Sequence, residues 1–149
     1  MTISVGLPLI IELKRTVSDC QDRIAGMIRY ISKKSEEVSE IGKTIAMIEN
    51  RVSTDSQSYN IYYAQQSNPM LQGPQAKYNE ARLQELQMSI NYWEPKLDYL
   101  NAKKCVLKEE EEELVGDKVA LEAKMKVAEE SLKGAQEDLK THIRLICTA

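Results

Sequence analysis

Apolar residues recur along the first part of this chain at every third and fourth position in strict alternation. This spacing averages 3.5 residues, so a helix of this sequence keeps its apolar stripe against a partner helix as the pair winds into a left-handed supercoil. Lys34 is the one polar member. The first stripe consists of Ile10, Leu13, Val17, Cys20, Ile24, Met27, Ile31, Lys34, Val38, Ile41, Ile45, Ile48 and Val52.

A second stripe of the same period occupies the other half of the chain. Two stripes of matched length predict an all-α fold: a long antiparallel two-helix coiled-coil hairpin that packs into a higher-order helical assembly. The members of the second stripe are Leu83, Leu86, Ile90, Trp93, Leu97, Leu100, Lys104, Leu107, Glu111, Leu114, Lys118, Leu121, Met125, Ala128, Leu132, Ala135, Leu139, His142 and Ile146.

Proline and glycine divide the chain into segments. Two prolines and a glycine within six residues forbid a continuous helix near the middle of the chain. Pro95 lies two positions past the stripe residue Trp93 and predicts a kink on the solvent side of its helix. The predicted segments are an apolar N-terminal arm at 1–9, helix one at 10–66, a Pro/Gly turn at 67–74 and helix two at 75–149.

Four charged residues interrupt the stripes: Lys34, Lys104, Glu111 and Lys118. Folding the chain near Gln72 places residues opposite one another when their numbers add up to about 140–145, so Lys34 and Glu111 share a layer. Buried polar pairs specify alignment more than they add stability. We predict that these four residues form a polar layer that sets the register; the alternative is a loosely packed, hydrated middle of the hairpin.

Composition excludes several classes of protein. The net charge of −3 gives no basis for nucleic-acid binding, and the largest block of acid is the run Glu109–Glu113. That run is either a solvated helix face or a docking patch for a basic partner. Three widely spaced cysteines indicate no disulfide framework, and no stretch is apolar enough for a signal peptide or a transmembrane segment. We expect a cytoplasmic protein, or one secreted by a route without a cleaved signal peptide.

The sequence contains no catalytic or metal-binding motif. Its single histidine, His142, lies on the second stripe, which is typical of an interface residue. No HExxH motif, paired CxxC motifs or glycine-rich phosphate loop is present. We therefore expect no enzymatic activity, no bound metal and no cofactor.

Aromatic residues cluster on both sides of the predicted turn. Counting across the hairpin places Tyr59 and Tyr62 in the core, whereas other members of the cluster have no internal partner. Tyrosine and tryptophan are favoured at interfaces because they combine apolar area with a polar group. The cluster either packs the end of the hairpin or contacts a neighbouring subunit. The predicted tip contacts are Tyr59, Tyr62, Tyr63, Tyr78, Tyr92 and Trp93.

Apolar residues cover more than one helix face where the two ends of the chain meet. A two-helix hairpin hides one stripe on each helix, so apolar residues outside the stripe must contact other chains. This is the main reason to predict self-association. The predicted self-association residues are Ile3, Val5, Leu7, Leu9, Ile10, Ile11, Leu139, Ile143, Leu145 and Ile146.

Two contact surfaces on one hairpin predict a structural subunit that assembles with itself into a filament or a closed homo-oligomer. In layout the hairpin resembles the paired terminal helices of flagellin-like and type III secretion filament proteins, a resemblance of architecture that involves no motif. The alternative is a coiled-coil adaptor, or an export-associated chaperone or stalk protein that binds another helical protein; in outline the hairpin is also similar to stalk proteins of the flagellar and type III export apparatus. A third class, a peripheral membrane protein that uses the arm at 1–11, lacks the flanking basic residues such proteins carry.

Overall fold

The computed structural model describes residues 2–148 and contains two long helices. Helix α1 spans Ile3–Gln66 and helix α2 spans Pro74–Thr148, and no strand occurs between residues 2 and 148. The helices pack against each other, which confirms the predicted all-α two-helix hairpin. The higher-order assembly stays a prediction. Met1 of the predicted arm and Ala149 of predicted helix two lie outside the described residues.

Helix α1 begins earlier than the sequence indicated. It starts at Ile3, so most of the segment expected as an arm at 1–9 is helical, and Pro8 lies inside the helix. Proline is compatible with the start of a helix because the first N–H groups have no intrahelical acceptor. Pro8 comes only slightly later, and the preceding turn is closed by hydrogen bonds from the Val5 and Gly6 amides to the Thr2 carbonyl.

An asparagine and a glycine shape the turn between the helices. The Met70 amide donates to Asn68 Oδ1 over 3.0 Å, an arrangement in which an asparagine side chain replaces a backbone partner. Gly73 has φ of 60°, in the left-handed region that favours glycine. Pro74 follows as the first residue of α2, where its missing N–H costs nothing.

Helix α2 continues through Pro95, and α1 continues through the serine-rich stretch at 53–56. Pro95 is exposed, on the side of α2 away from the stripe. The ring therefore does not interfere with the packing between the helices. The kink at Pro95 stays a prediction.

The chain divides into two packing units, which we name by their position in the hairpin. The terminal unit comprises Met1–Lys34 with Glu110–Ala149, and the turn unit comprises Ser35–Glu109. Every buried apolar residue lies on one of the two stripes. In the terminal unit these residues are Ile10, Cys20, Ala128, Ala135 and Leu139, and in the turn unit they are Ile45, Ile48, Leu86, Ile90 and Leu107.

Contacts between side chains on the two helices report the alignment within each unit. Lys34 contacts Glu110 in the terminal unit, and in the turn unit Asp55 contacts Ser89 and Gln65 contacts Asn79. In all three pairs the residue numbers add up to 144. This value falls within the range expected from folding the sequence near Gln72.

Two glycine-to-alanine substitutions should have opposite effects. Gly73→Ala forces a Cβ into the left-handed region and should lower the free energy of unfolding by about 1 kcal/mol. Gly134→Ala in α2 meets no atom within 4 Å and should raise it by about 0.5–1 kcal/mol. Urea denaturation followed by circular dichroism measures both; equal effects would contradict the role assigned to Gly73.

Candidate functional site

Two of the ten predicted self-association residues belong to the internal core. Ile10 and Leu139 are each 8% exposed and form a cluster with Ala135, against which Leu13 and Leu132 pack. Both occupy stripe positions, so the partner helix covers them. This corrects the expectation that Ile10 and Leu139 face another chain.

The other eight predicted self-association residues are exposed. Val5 and Ile11 are each 59% exposed, and Leu145 is 65% exposed. Because Ile10 shares a cluster with Ala135 and Leu139, the first turns of α1 lie beside the last turns of α2, and these residues form one region of the terminal unit. We call it the terminal apolar surface: Ile3, Val5, Leu7, Leu9, Ile11, Ile143, Leu145 and Ile146.

The position of each residue on its helix explains this exposure. Leu7 and Leu9 flank the stripe on either side, and Val5 points further away from it. Ile146 holds a stripe position and is nevertheless 54% exposed. Among residues 2–148, the facing helix covers these side chains only in part.

The predicted tip aromatics lie in the turn unit and divide into two groups. Tyr59, Tyr62 and Trp93 are half-buried, whereas Tyr63, Tyr78 and Tyr92 are more than half exposed. Ring contacts link the groups in pairs. Tyr59 stacks on Tyr63 at 6.2 Å between centroids, Tyr62 meets Tyr78 edge-on at 6.3 Å, and Tyr92 meets Trp93 edge-on at 5.0 Å.

Cations accompany the half-buried aromatics. Lys96 Nζ lies 3.9 Å from the centroid of the Tyr92 ring and 5.2 Å from that of Trp93, within the range of a cation–π interaction. Arg82 donates to Glu85 over 3.0 Å. This hydrogen bond, with a smaller contribution from the Tyr62 hydroxyl, raises the pKa of Arg82 above its ordinary value.

The four residues predicted as a polar layer have different surroundings. Lys34 Nζ donates over 2.8 Å to Glu110, and the predicted partner was the next residue, Glu111. Glu111 is half-buried. Lys118 Nζ pairs with Glu122 on its own helix over 3.4 Å, and Lys104 Nζ lies close to Gly42. A long lysine on a stripe covers the interface with its aliphatic part and directs its charge to the edge.

Two buried polar residues were not among the predicted site residues. Asn79 is fully buried: Gln75 Nε2 donates to its Oδ1 over 2.9 Å, and its Nδ2 donates to Gln65 Oε1 over 3.4 Å. Asp55, which is 8% exposed, accepts from the Ser89 hydroxyl and pairs with Arg51 Nε at 3.5 Å. The alternating spacing could have revealed both, since it continues forward from Val52 to Asp55 and backward from Leu83 to Asn79.

The chain matches no protein-family model, no curated protein and no solved structure. Neither helix, over the described residues, is both long enough and apolar enough to cross a membrane. Within residues 2–148 no three His, Cys, Asp or Glu side chains come together in a group that could hold a metal ion.

The buried asparagine should contribute more to stability than an exposed asparagine with the same kind of hydrogen bond. Asn79→Ala removes the two hydrogen bonds of a fully buried side chain and should lower the free energy of unfolding by about 1–3 kcal/mol. The matched control is Asn91→Ala, since Asn91 accepts from Gln87 over 2.9 Å at an exposed position. That change should stay within about 0.5 kcal/mol. Equal losses in urea denaturation would contradict the structural importance of Asn79.

Proposed function

We propose that this protein is a non-enzymatic structural coiled-coil protein that assembles with copies of itself into a filament or another homo-oligomer. The observation that carries the proposal is the exposure of eight large apolar side chains on the terminal apolar surface. Monomeric soluble proteins rarely leave apolar patches larger than a few hundred Å² uncovered. A neighbouring subunit is the simplest cover for such a surface.

The charge distribution favours a protein partner over a lipid surface. No charged residue occurs between Ile3 and Ile11, and the nearest basic residues along α1 are Lys14 and Arg15. In the α2 part of the surface the one basic residue between Ile143 and Ile146 is Arg144. Helices that lie on membranes carry lysine and arginine along their polar face. This segment of α1 lacks that feature, so we assign its apolar side chains to a contact between protein subunits.

A second exposed set of side chains makes extended assembly feasible. The turn unit exposes Tyr63, Tyr78 and Tyr92, which are of the residue types enriched at interface centres. Two unlike contact surfaces on one subunit allow head-to-tail association, which closes into a ring or continues as a filament. This layout supports the proposed structural role.

Polar substitutions in the terminal apolar surface should disrupt assembly without disturbing the helices. Ile11→Ser combined with Leu145→Ser alters two side chains that are each more than half exposed. Large assemblies should disappear in light scattering and analytical ultracentrifugation at concentrations where the parent chain forms them. The circular dichroism at 222 nm, a helical signal, should stay unchanged because neither residue contributes to the core.

Ile10→Ser provides a matched control one residue away. Ile10 packs in the internal cluster, so this change should lower the free energy of unfolding by about 2–5 kcal/mol. Loss of helicity in the Ile11→Ser/Leu145→Ser variant would mean that its residues are internal. A parent chain that stays monomeric at high concentration refutes the proposal. A small defined complex with another helical protein supports the adaptor alternative instead. Binding of the parent chain to liposomes supports the membrane alternative.

A further inference from the structure

A stripe of exposed, mostly apolar residues runs along α2 within the turn unit. From Glu85 onward each member follows a residue of the second apolar stripe by two positions, which is about 200° around the helix, so this part faces away from α1. At its start Tyr78 meets the ring of Tyr62 on α1. Its spacing alternates between three and four, as in a coiled-coil interface. We call it the tyrosine stripe: Tyr78, Ala81, Glu85, Met88, Tyr92, Pro95, Tyr99, Ala102 and Val106.

The tyrosine stripe has the properties of a helix-docking surface. All nine of its residues are exposed, and the five largest apolar ones are each more than half exposed. Glu85 is its one charged member. Scattered surface apolar residues are ordinary, but a continuous row with a 3.5-residue period stays aligned with a partner over its full length. Basic side chains border the row at Lys96, which covers the Tyr92 ring, and at Lys103.

The terminal unit contains a groove between its two helices. A cavity of about 620 Å³ lies between α1 and α2, lined in part by Gly26, Tyr30 and Ala120. The groove exists because Gly26 and Ala120 carry little or no side chain there; a Cβ placed on Gly26 would meet nothing within 4 Å. A second cavity of about 430 Å³ shares Tyr30 and adds Glu113 to the lining.

The groove also has the opposite charge at its border. Asp117 lines both cavities, and Glu113 and Glu110 line the smaller one. Glu110 is paired with Lys34, and Arg23 is the remaining basic residue of the lining, so Glu113 and Asp117 leave a net negative charge. Glu111 and Glu112 of the acidic run add to it. Complementary charge steers two surfaces together and disfavours contacts between like surfaces.

We propose that the tyrosine stripe of one copy docks in the groove of the terminal unit of a second copy. Tyrosine side chains fill the space beside Gly26 and Ala120, and Lys96 and Lys103 approach Glu113 and Asp117. Pairing of two tyrosine stripes would bring lysines together, and pairing of two grooves would bring carboxylates together. The contact is therefore between unlike surfaces, which permits open-ended growth. This inference rests on the proposed self-assembly and names a lateral contact for it.

Cross-linking between differently labelled chains tests the contact. Both chains first carry Cys20→Ala, Cys105→Ser and Cys147→Ser, which remove the native thiols. One chain then receives Ala102→Cys in the tyrosine stripe, and the other receives Ala120→Cys in the groove. With a short bis-maleimide we expect mixed dimers containing one chain of each kind, and neither chain linked to its own kind.

A blocked groove and a distant glycine provide the matched controls. Gly26→Gln in the groove chain should reduce the mixed product at least about tenfold, the loss expected when a well-packed contact is obstructed. Gly134→Gln, which also projects into open space but lies outside the groove lining, should leave the yield unchanged. Moving the groove cysteine from position 120 to position 134, on the same face of α2, should abolish the product.

The outcomes separate this inference from the proposed function. Mixed dimers that disappear with Gly26→Gln support the stripe-to-groove contact. If the cysteine-free parent forms large assemblies but the mixture of the two single-cysteine chains yields no mixed product, or only products of like chains, the inference is overturned while self-assembly stands. If the cysteine-free parent is a monomer in light scattering and the mixture of the two single-cysteine chains yields no mixed product, both the inference and the proposed function fail.

Discussion

The apolar interface between α1 and α2 is the interaction on which the rest of this structure depends. Its side chains recur every 3.5 residues on both helices. In a supercoiled pair this period keeps the apolar side of every turn directed at the facing helix, so packing can continue from one turn to the next. All ten buried apolar side chains lie on it. A helix of this length gains most of its stability from such packing and little from intrinsic propensity, which explains why serines, glycines and two prolines are tolerated elsewhere along it.

Polar side chains within that interface restrict which alignments are possible. Asp55 finds a hydroxyl on Ser89 and Asn79 finds the amide of Gln65, and both contacts require the same pairing of the two helices. A shift of one heptad would break these two contacts between the helices and leave each buried group only its partner on its own helix, at a cost comparable to a lost hydrogen bond. Lys34 and Glu110 are partly exposed, so their ion pair adds little to stability and is best understood as part of the alignment.

The two units present different surfaces because their residues outside the interface differ. The terminal unit exposes aliphatic side chains where the chain ends meet and a groove beside Gly26. The turn unit exposes tyrosines and Met88 along the outer side of α2. The proposed contacts between subunits would cover both sets of exposed groups. In the proposed lateral contact, the lysines beside the tyrosine stripe would be the partners of opposite charge for the acidic residues beside the groove.

The sequence by itself determined the helical architecture, the position of the break before Pro74 and the alignment of the helices. The architecture follows from the spacing of apolar residues, the break from proline chemistry, and the alignment from the length of the chain on each side of the break. The start of α1 at Ile3 was not predicted, because Pro8 indicated a helix boundary near residue 9. Packing against α2 can stabilise a helix that continues through such a proline. The burial of a side chain could not be predicted from the sequence at positions where the partner helix decides whether that side chain is covered. Residues 10 and 11 are both isoleucine, yet only Ile10 is buried, because only its side chain points towards α2. The groove beside Gly26 required the tertiary structure, because an empty space is defined by the side chains of two helices at once.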